Sequence, residues 1–368
     1  MRSSNMNLPK STDVKNKKVL VRVDFNVSDL KKDHYRFQCA TKTIAFLLKN
    51  KSKQIILISH LGRPEGKEEK YSLKKLIPIL EKTFKQKIKF YDKLENLPED
   101  KIVLLENIRF WKEEDKDDKA FAKKLAKLGD VYINEAFSVS HRKTSSLCAI
   151  TKFLPSFYGF NFISEIKALD SLNKNIKHPF TMIIGGAKTE DKIPLLEKFL
   201  KPADFVLVGG VPANTLWNMY GAETGKSLVD KNVKIKNLES DEIVLPIDFQ
   251  IKDKNNKLAY RTIDDIQLND NILDLGEYSL ELFKIYIEHS KTIFWNGPLG
   301  FTEEKPFDKS TKELVKILAK SKAKIIIGGG ETLEFVKPLM NKKNIFISSG
   351  GGALLYYLIN GTFPCLKK

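Results

Sequence analysis

Ten short apolar runs recur along the chain: "VLVRVDF" (19–25), "QIILIS" (54–59), "IVLLE" (102–106), "VYINEAF" (131–137), "MIIGG" (182–186), "FVLVGG" (205–210), "EIVLPID" (242–248), "TIFWNG" (292–297), "KIIIGGG" (324–330) and "NIFISSG" (344–350). They are rich in Val and Ile and lack clean alternation. That pattern predicts strands buried on both faces of parallel sheets. Helical patterns fall between many of them, among them "LKKLIPILEKTF" (73–84), "KAFAKKLAKLG" (119–129), "YSLELFKIYIE" (278–288) and "KSTKELVKILAK" (309–320). Alternating strands and helices predict a doubly wound, Rossmann-like α/β architecture. With 368 residues the chain has room for two such domains. The helical stretch after Gly159, "NFISEIKALDSLNKN", runs toward His178-Pro179 and is the expected link. The expected organisation is a first domain over 1–160, a linker helix over 161–178 and a second domain over 179–352.

In such sheets ligands bind outside the carboxyl ends of the strands. The first half supplies Asp24 and Asn26, then His60 and Arg63 in "SHLGRP", then Arg109 in "ENIRF", then His141 and Arg142 in "NEAFSVSHR". The second half supplies "GGAKTEDK", "GGVPAN", "PID", "WNGPLGFTEE", "GGGET" and "SSGGG". One half thus presents arginines and histidines. The other presents glycine turns that open helices, whose bare N–H groups suit polyphosphate. The pair points to a small anionic substrate in one domain and a nucleotide in the other. "GGAKTEDK" is not a Walker loop, which needs its lysine after a longer glycine-rich turn; here the lysine follows the glycines almost at once.

The net charge of +17 raises nucleic acid as a partner. The charge is dispersed, however, and runs such as "KEEDKDDK" and "KDKNNK" are mixed in sign, as solvated faces are. Only seven of the 63 basic residues are arginine, and five of those fall between residues 22 and 142. In a chain so biased to lysine, the arginines mark places that need a planar fork for carboxylate or phosphate. No apolar run approaches the ~20 residues of a membrane span, and "MRSSNMNLPKSTDVKNKK" lacks the apolar core of a secretory signal. Cys39, Cys148 and Cys365 are odd in number and far apart, so neither a metal spacing nor a disulfide framework is expected, and the expected compartment is the cytoplasm.

The stretches "VRVDFN", "SHLGRP", "LLENIRF", "VYINEAF", "SHR", "GGAKTEDKI", "GKSL", "WNGPLGF", "IIGGGET" and "ISSGGGA" stand in the order found in phosphoglycerate kinases, and the chain resembles that family over nearly its whole length. The resemblance implies a monomer of two lobes. It also implies reversible phosphoryl transfer between 1,3-bisphosphoglycerate and ADP, giving 3-phosphoglycerate and ATP with Mg2+ on the nucleotide. Asp24, Asn26, Arg36, His60, Arg63, Arg109 and Arg142 match the triose-binding positions, with Arg36 reaching the transferred group. Lys188 and Lys192 match the two phosphate-holding lysines. Gly186, Gly209 and Gly210 match the nucleotide cradle, and Asn296 and Glu303 line the nucleotide site. Gly328, Gly329, Gly330, Glu331 and Thr332 belong to the same site, with Glu331 the expected metal contact. Gly350, Gly351 and Gly352 match a helix N-terminus aimed at the reaction centre, and 353–368 resembles the tail that returns to the first domain.

The acceptor is a carboxylate, ionised at neutral pH, so no general base is required. Catalysis is then positioning plus electrostatic stabilisation. Lys188 and Lys192 are expected as an i,i+4 pair on the opening turn of a helix, and Arg36 completes the field when the lobes close on their hinge. Other uses remain for single residues: His60 as a structural histidine, Asp24 as a holder of arginines, Trp217 and Trp295 as packing, Arg22 as a buried ion-pair partner. The chain departs from the usual family pattern at Ser28, Glu135, Ser138, Thr189, Pro212 and Glu331. These departures motivate a second reading, a ligand-binding relative with weak turnover. The charge motivates a third, a nucleic-acid-binding protein.

Overall fold

The computed structural model describes residues 6–27, 34–174, 176–190, 192–233 and 240–366; Ser28 lies outside them. The chain divides into two units, 1–167 with 360–368, and 168–359.

The first unit is built on β1 (Lys18–Arg22), β2 (Gln54–Ile58), β3 (Lys89–Tyr91), β4 (Ile102–Leu105), β5 (Val131–Asn134) and β6 (Ser156–Tyr158). Its helices are α1 (Ser11–Val14), α2 (His34–Cys39), α3 (Thr41–Lys49), α4 (Ile77–Phe84), α5 (Lys119–Ala126) and the start of α6 (Phe160–Asp170). All strand pairs are parallel, in the order β3-β4-β2-β1-β5-β6. β2, β4 and β5 are buried at every position, as their unbroken apolar runs require. The period of two splits each run between two cores. Val19, Val21, Ile55 and Leu57 face Ile44, Leu47 and Leu80 of α3 and α4. Leu20, Ile56 and Ile58 face Phe121, Ala122 and Leu125 of α5.

The second unit repeats the plan with β7 (Phe180–Ile184), β8 (Phe205–Val208), β9 (Ile243–Val244), β13 (Thr292–Asn296), β14 (Lys324–Gly328) and β15 (Ile345–Ile347), parallel in the order β15-β14-β13-β7-β8-β9. Between them stands an antiparallel sheet of β10 (Asp248–Lys252), β11 (Leu258–Thr262) and β12 (Asn271–Leu275), in the order β11-β10-β12. Its helices are α7 (Ile193–Leu200), α8 (Gly210–Met219), α9 (Glu277–His289), α10 (Lys309–Lys320) and α11 (Gly352–Asn360). The antiparallel sheet was not expected. "KDKNNK", read as a solvated charge run, includes the turn of its first hairpin, where the Asp253 carboxylate accepts from the Asn255 and Lys257 amides at 2.8 Å each.

The chain's end returns to the first unit. Phe363 is fully buried between Phe137 and Phe162, with ring centroids 5.4 and 6.0 Å away. This docking corrects one expectation: Cys148 and Cys365, 217 residues apart, form a disulfide with their Cα atoms 4.8 Å apart. Sequence distance was no guide because the tail packs back onto the 3-10 turns after β5.

Candidate active site

In each parallel sheet the chain leaves its first strand to one side and later returns to the other. The crevice lies at the carboxyl end of that strand, β1 in the first unit and β7 in the second.

Asp24 is the centre of the first site. Its Oδ2 accepts from Arg36 Nη1, on α2, and from the Ser138 hydroxyl, on the turn after β5. Its Oδ1 accepts from the Asn26 amide at 2.9 Å. His60, after β2, places Nδ1 3.9 Å from Asp24 Oδ1 and 3.3 Å from Arg22 Nη2. A guanidinium only donates, so Nδ1 accepts and the ring proton sits on Nε2. Gly62 ties the strand ends together: its amide donates to Asn26 Oδ1 at 2.7 Å and its carbonyl accepts from Arg109 Nη1 at 2.6 Å. Arg142 follows on the turn beyond β5. Its buried Nε has no hydrogen-bond partner among the described residues, which leaves a donor available to an anion. Arg63 is exposed beyond β2.

The electrostatics follow from this packing. Burial alone would raise the Asp24 carboxyl, but Arg36, His60, the Ser138 hydroxyl and the Asn26 amide outweigh it and hold it down at about 2. Burial drives His60 well below the usual imidazole range, and Arg22, Arg109 and Arg36 push the same way against Asp24. His60 is therefore a neutral, fixed ring. Among the described residues Arg22, expected as an ion-pair partner, reaches a carboxylate through Ser146: its Nε donates to Ser146 Oγ at 2.8 Å, which donates to Glu114 at 2.6 Å. It orients His60, a positioning role the sequence did not reveal.

The second site forms where the loops after β7, β8 and β13 meet backbone to backbone. The Gly186 amide donates to Pro298 O at 2.7 Å, and Gly210 to Leu299 O at 2.8 Å. Gly210 has φ +59°, and a Cβ there would lie 2.9 Å from the Gly186 backbone. Only glycine allows that approach. Two cavities open along this seam. One, of 410 Å3, is walled by Phe249, Leu273, Leu299 and Phe301 and reaches Gly186 and Glu303. The other, of 240 Å3, gathers Lys188, Lys192, Asn296, Gly330, Glu331 and Gly351. Glu331 lines both. An apolar slot beside a cationic, glycine-lined pocket matches a nucleoside joined to its phosphates. A larger groove of 1020 Å3, between α9 and α10, contains none of the expected site residues.

The sequence profile described as phosphoglycerate kinase matches residues 10–361, which takes in both sites. The chain belongs to the phosphoglycerate kinase family. It is 40% identical over 385 residues to the phosphoglycerate kinase of Wigglesworthia glossinidia brevipalpis, covering 99% of this chain and 97% of that one. To that of Coprothermobacter proteolyticus it is 37% identical over 379 residues, covering 96% of each. The solved phosphoglycerate kinase of Coxiella burnetii superposes with a TM-score of 0.82 at 29% identity, covering 99% of this chain and 97% of that one. As a phosphoglycerate kinase family member the chain is a phosphotransferase. No helix among the described residues is long and apolar enough to cross a membrane.

One expectation for the phosphoglycerate kinase lysines needs correction. They do not share the opening turn of a helix. α7 begins at Ile193, Lys192 occupies its cap position, and Lys188 lies in the preceding loop. The Thr189 carbonyl accepts from the Lys192 and Ile193 amides at 2.8 and 3.1 Å, closing a turn ahead of the helix. The lysines meet at the cavity instead of on a helix face. Lys188 is exposed, whereas Lys192 is buried and donates to Asn296 Oδ1.

Other nucleotide-side residues frame the site, and Gly209, Gly328 and Thr332 do so without lining either cavity. Gly209 caps α8. Gly328 packs so closely on Leu354 that a Cβ would lie 2.5 Å from it. Thr332 is buried and accepts from the Gly297 amide at 3.2 Å. Gly329 lines the smaller cavity with Gly330 and Gly352, and Gly350 is buried just ahead of α11. Pro212 falls in the first turn of α8, where its missing N–H would have no helical partner. Glu331 opens only a 3-10 turn of four residues, too short for the helix-end role to carry much weight.

Proposed function

We propose that this chain transfers a phosphoryl group reversibly between 1,3-bisphosphoglycerate and ADP, giving 3-phosphoglycerate and ATP. The triose is held by Asp24, Asn26, Arg36, His60, Arg63, Arg109 and Arg142, and the nucleotide by the glycine seam of the second unit. The observation that carries this reading is the cavity where Lys188, Lys192 and Gly351 converge beside an apolar slot of nucleoside size.

The chemistry follows from the charges. The acceptor carboxylate needs no base, and His60, neutral and locked between Arg22 and Asp24, is not placed as one. The obstacle is an anion approaching a polyphosphate. Arg142 and Arg109 supply fixed donors for the triose anion. Arg36 supplies a fork for the transferring group. Lys188, exposed at the cavity, follows the charge as it shifts, while Lys192 is held by Asn296 as a fixed cation.

Among the described residues no group of three or more His, Cys, Asp or Glu could cage a metal ion. A magnesium ion brought by the nucleotide needs only one or two protein carboxylates, and Glu331, lining both cavities, fits that part. When bound, the ion neutralises phosphate charge. The enzyme is proposed to work as a cytoplasmic monomer. No observation favours the weak-turnover or nucleic-acid readings.

The test is a coupled assay of ATP consumption with 3-phosphoglycerate present or absent, run with several metals and nucleotides. Substrate-dependent turnover supports the reading, and its absence with correctly folded protein ends it.

A further inference from the structure

The family pattern leads one to expect glycine where this chain carries Ser138. Its hydroxyl donates to Asp24 Oδ2, the same oxygen that accepts from Arg36 Nη1, across 114 residues of sequence. Asp24 is 9% exposed. A buried carboxylate that loses its only donor becomes an uncompensated charge. Arg36 therefore cannot leave Asp24 for a phosphoryl group unless something else satisfies Oδ2. The other donor to Asp24, the Asn26 amide, is committed to Oδ1. The His60 Nδ1 nearby is 3.9 Å away and accepts from Arg22.

We propose that Ser138 is a positioning residue that releases Arg36: it shares Asp24 Oδ2 while Arg36 is docked and holds that oxygen alone when the guanidinium turns to the transferring phosphoryl. Two donors on one oxygen weaken each other's hold, and the departing arginine leaves each carboxylate oxygen with one hydrogen bond. The inference rests on the proposed role of Arg36 and extends it to a residue outside the expected substrate contacts.

The test is a double-mutant cycle with Ser138→Gly and Arg36→Lys, reading kcat and KM for 3-phosphoglycerate separately. Ser138→Gly lowers kcat roughly 10- to 100-fold, the weight of one hydrogen bond to a charged group, with KM little changed. In the Arg36→Lys background, which lacks the fork that must be released, the same change has little further effect. Ser138→Thr, which keeps the hydroxyl, restores most of kcat. Equal losses in both backgrounds, or a change confined to KM, overturn the proposal and leave Ser138 a packing residue. If Arg36→Lys alone keeps full turnover, the parent role of Arg36 fails, an outcome distinct from those two. Melting curves of each variant confirm that the fold is intact.

Discussion

Replacing Glu135 by glutamine would remove one ionisable group from the buried N-terminus of α6 and keep the side chain's shape. Glu135 follows β5 and is 4% exposed. Its carboxyl accepts from the Phe162 amide at 2.9 Å, from the Asn161 amide and from the Thr43 hydroxyl. Gly159 makes room for it, because a Cβ there would lie 1.6 Å from Oε2. Burial pushes the carboxyl up to about 8 from an ordinary 4.5, although all three donors oppose the rise and only Glu165 adds to it. The folded chain thus holds a proton that the unfolded chain has given up. The resulting stability is fully present below the unfolded value and is lost as pH rises through the folded one. One pH unit corresponds to about 1.4 kcal/mol, so wild type loses about 4 kcal/mol between pH 5 and 8 that Glu135→Gln does not lose. For a unit of this size that is a divergence on the order of 10 °C in Tm. The measurement is calorimetric melting of both proteins at matched ionic strength across that range. Burial lowers His60, giving a slope of opposite sign, and raises Asp274 to about 7, but both groups are common to the two proteins and cancel in the difference. Parallel pH profiles would refute the reasoning, since they would mean that Glu135 has the same proton affinity folded and unfolded.

Four further outcomes follow from the second unit and the tail. Lys188→Ala lowers turnover on the order of 100- to 1000-fold with ligand-free melting unchanged, because its ammonium is exposed at the cavity; unchanged kinetics would return it to the solvated surface. Lys192→Ala weakens nucleotide binding and also lowers Tm, since it leaves Asn296 Oδ1 buried without its donor; a kinetic effect alone would contradict that dual role. Glu331→Gln weakens the apparent affinity for the metal–nucleotide in a titration with magnesium and manganese, while the Tm of the ligand-free protein stays put; unaltered metal dependence would remove Glu331 from the ion's surroundings. The Cys148–Cys365 bond closes a 217-residue separation, so a reductant, or Cys365→Ser, lowers the Tm of the oxidised protein. Identical melting with and without reductant would show the thiols unjoined in solution.

The parts of this molecule that could be read from the sequence share a physical cause. A strand covered on both faces is apolar at most positions, so β2, β4, β7 and β13, buried throughout, stood out as short, mainly apolar runs. β3 and β6, three residues each and partly exposed, carried no such signal. β11 alternates exposed and half-buried positions, but its hairpin turn was hidden in a run of lysines and asparagines. Parallel topology then sends every strand's carboxyl end to one side of the sheet. That is why Asp24, His60, Arg109 and Arg142 could be assembled on paper from four separate stretches.

The same reasoning stops where one atom is shared by partners that topology alone does not pair. That Ser138 and Arg36 meet on a single oxygen of Asp24 depends on how α2 and the turn after β5 pack over β1, and neither spacing nor residue type encodes it. Glu135 shows the same limit. As a letter it was a departure from a usual aspartate; in the fold its extra methylene reaches the amides of Asn161 and Phe162 at the mouth of α6. Departures from the family pattern therefore need not weaken the site. At Ser138 and Glu135 the added atoms acquire partners at once, and a buried polar atom with a full set of partners is one the fold has been arranged around. Under the roles proposed above, Ser138 bears on this chain's rate and Glu135 on its pH dependence, while Lys188, Lys192 and the glycine seam serve the reaction itself.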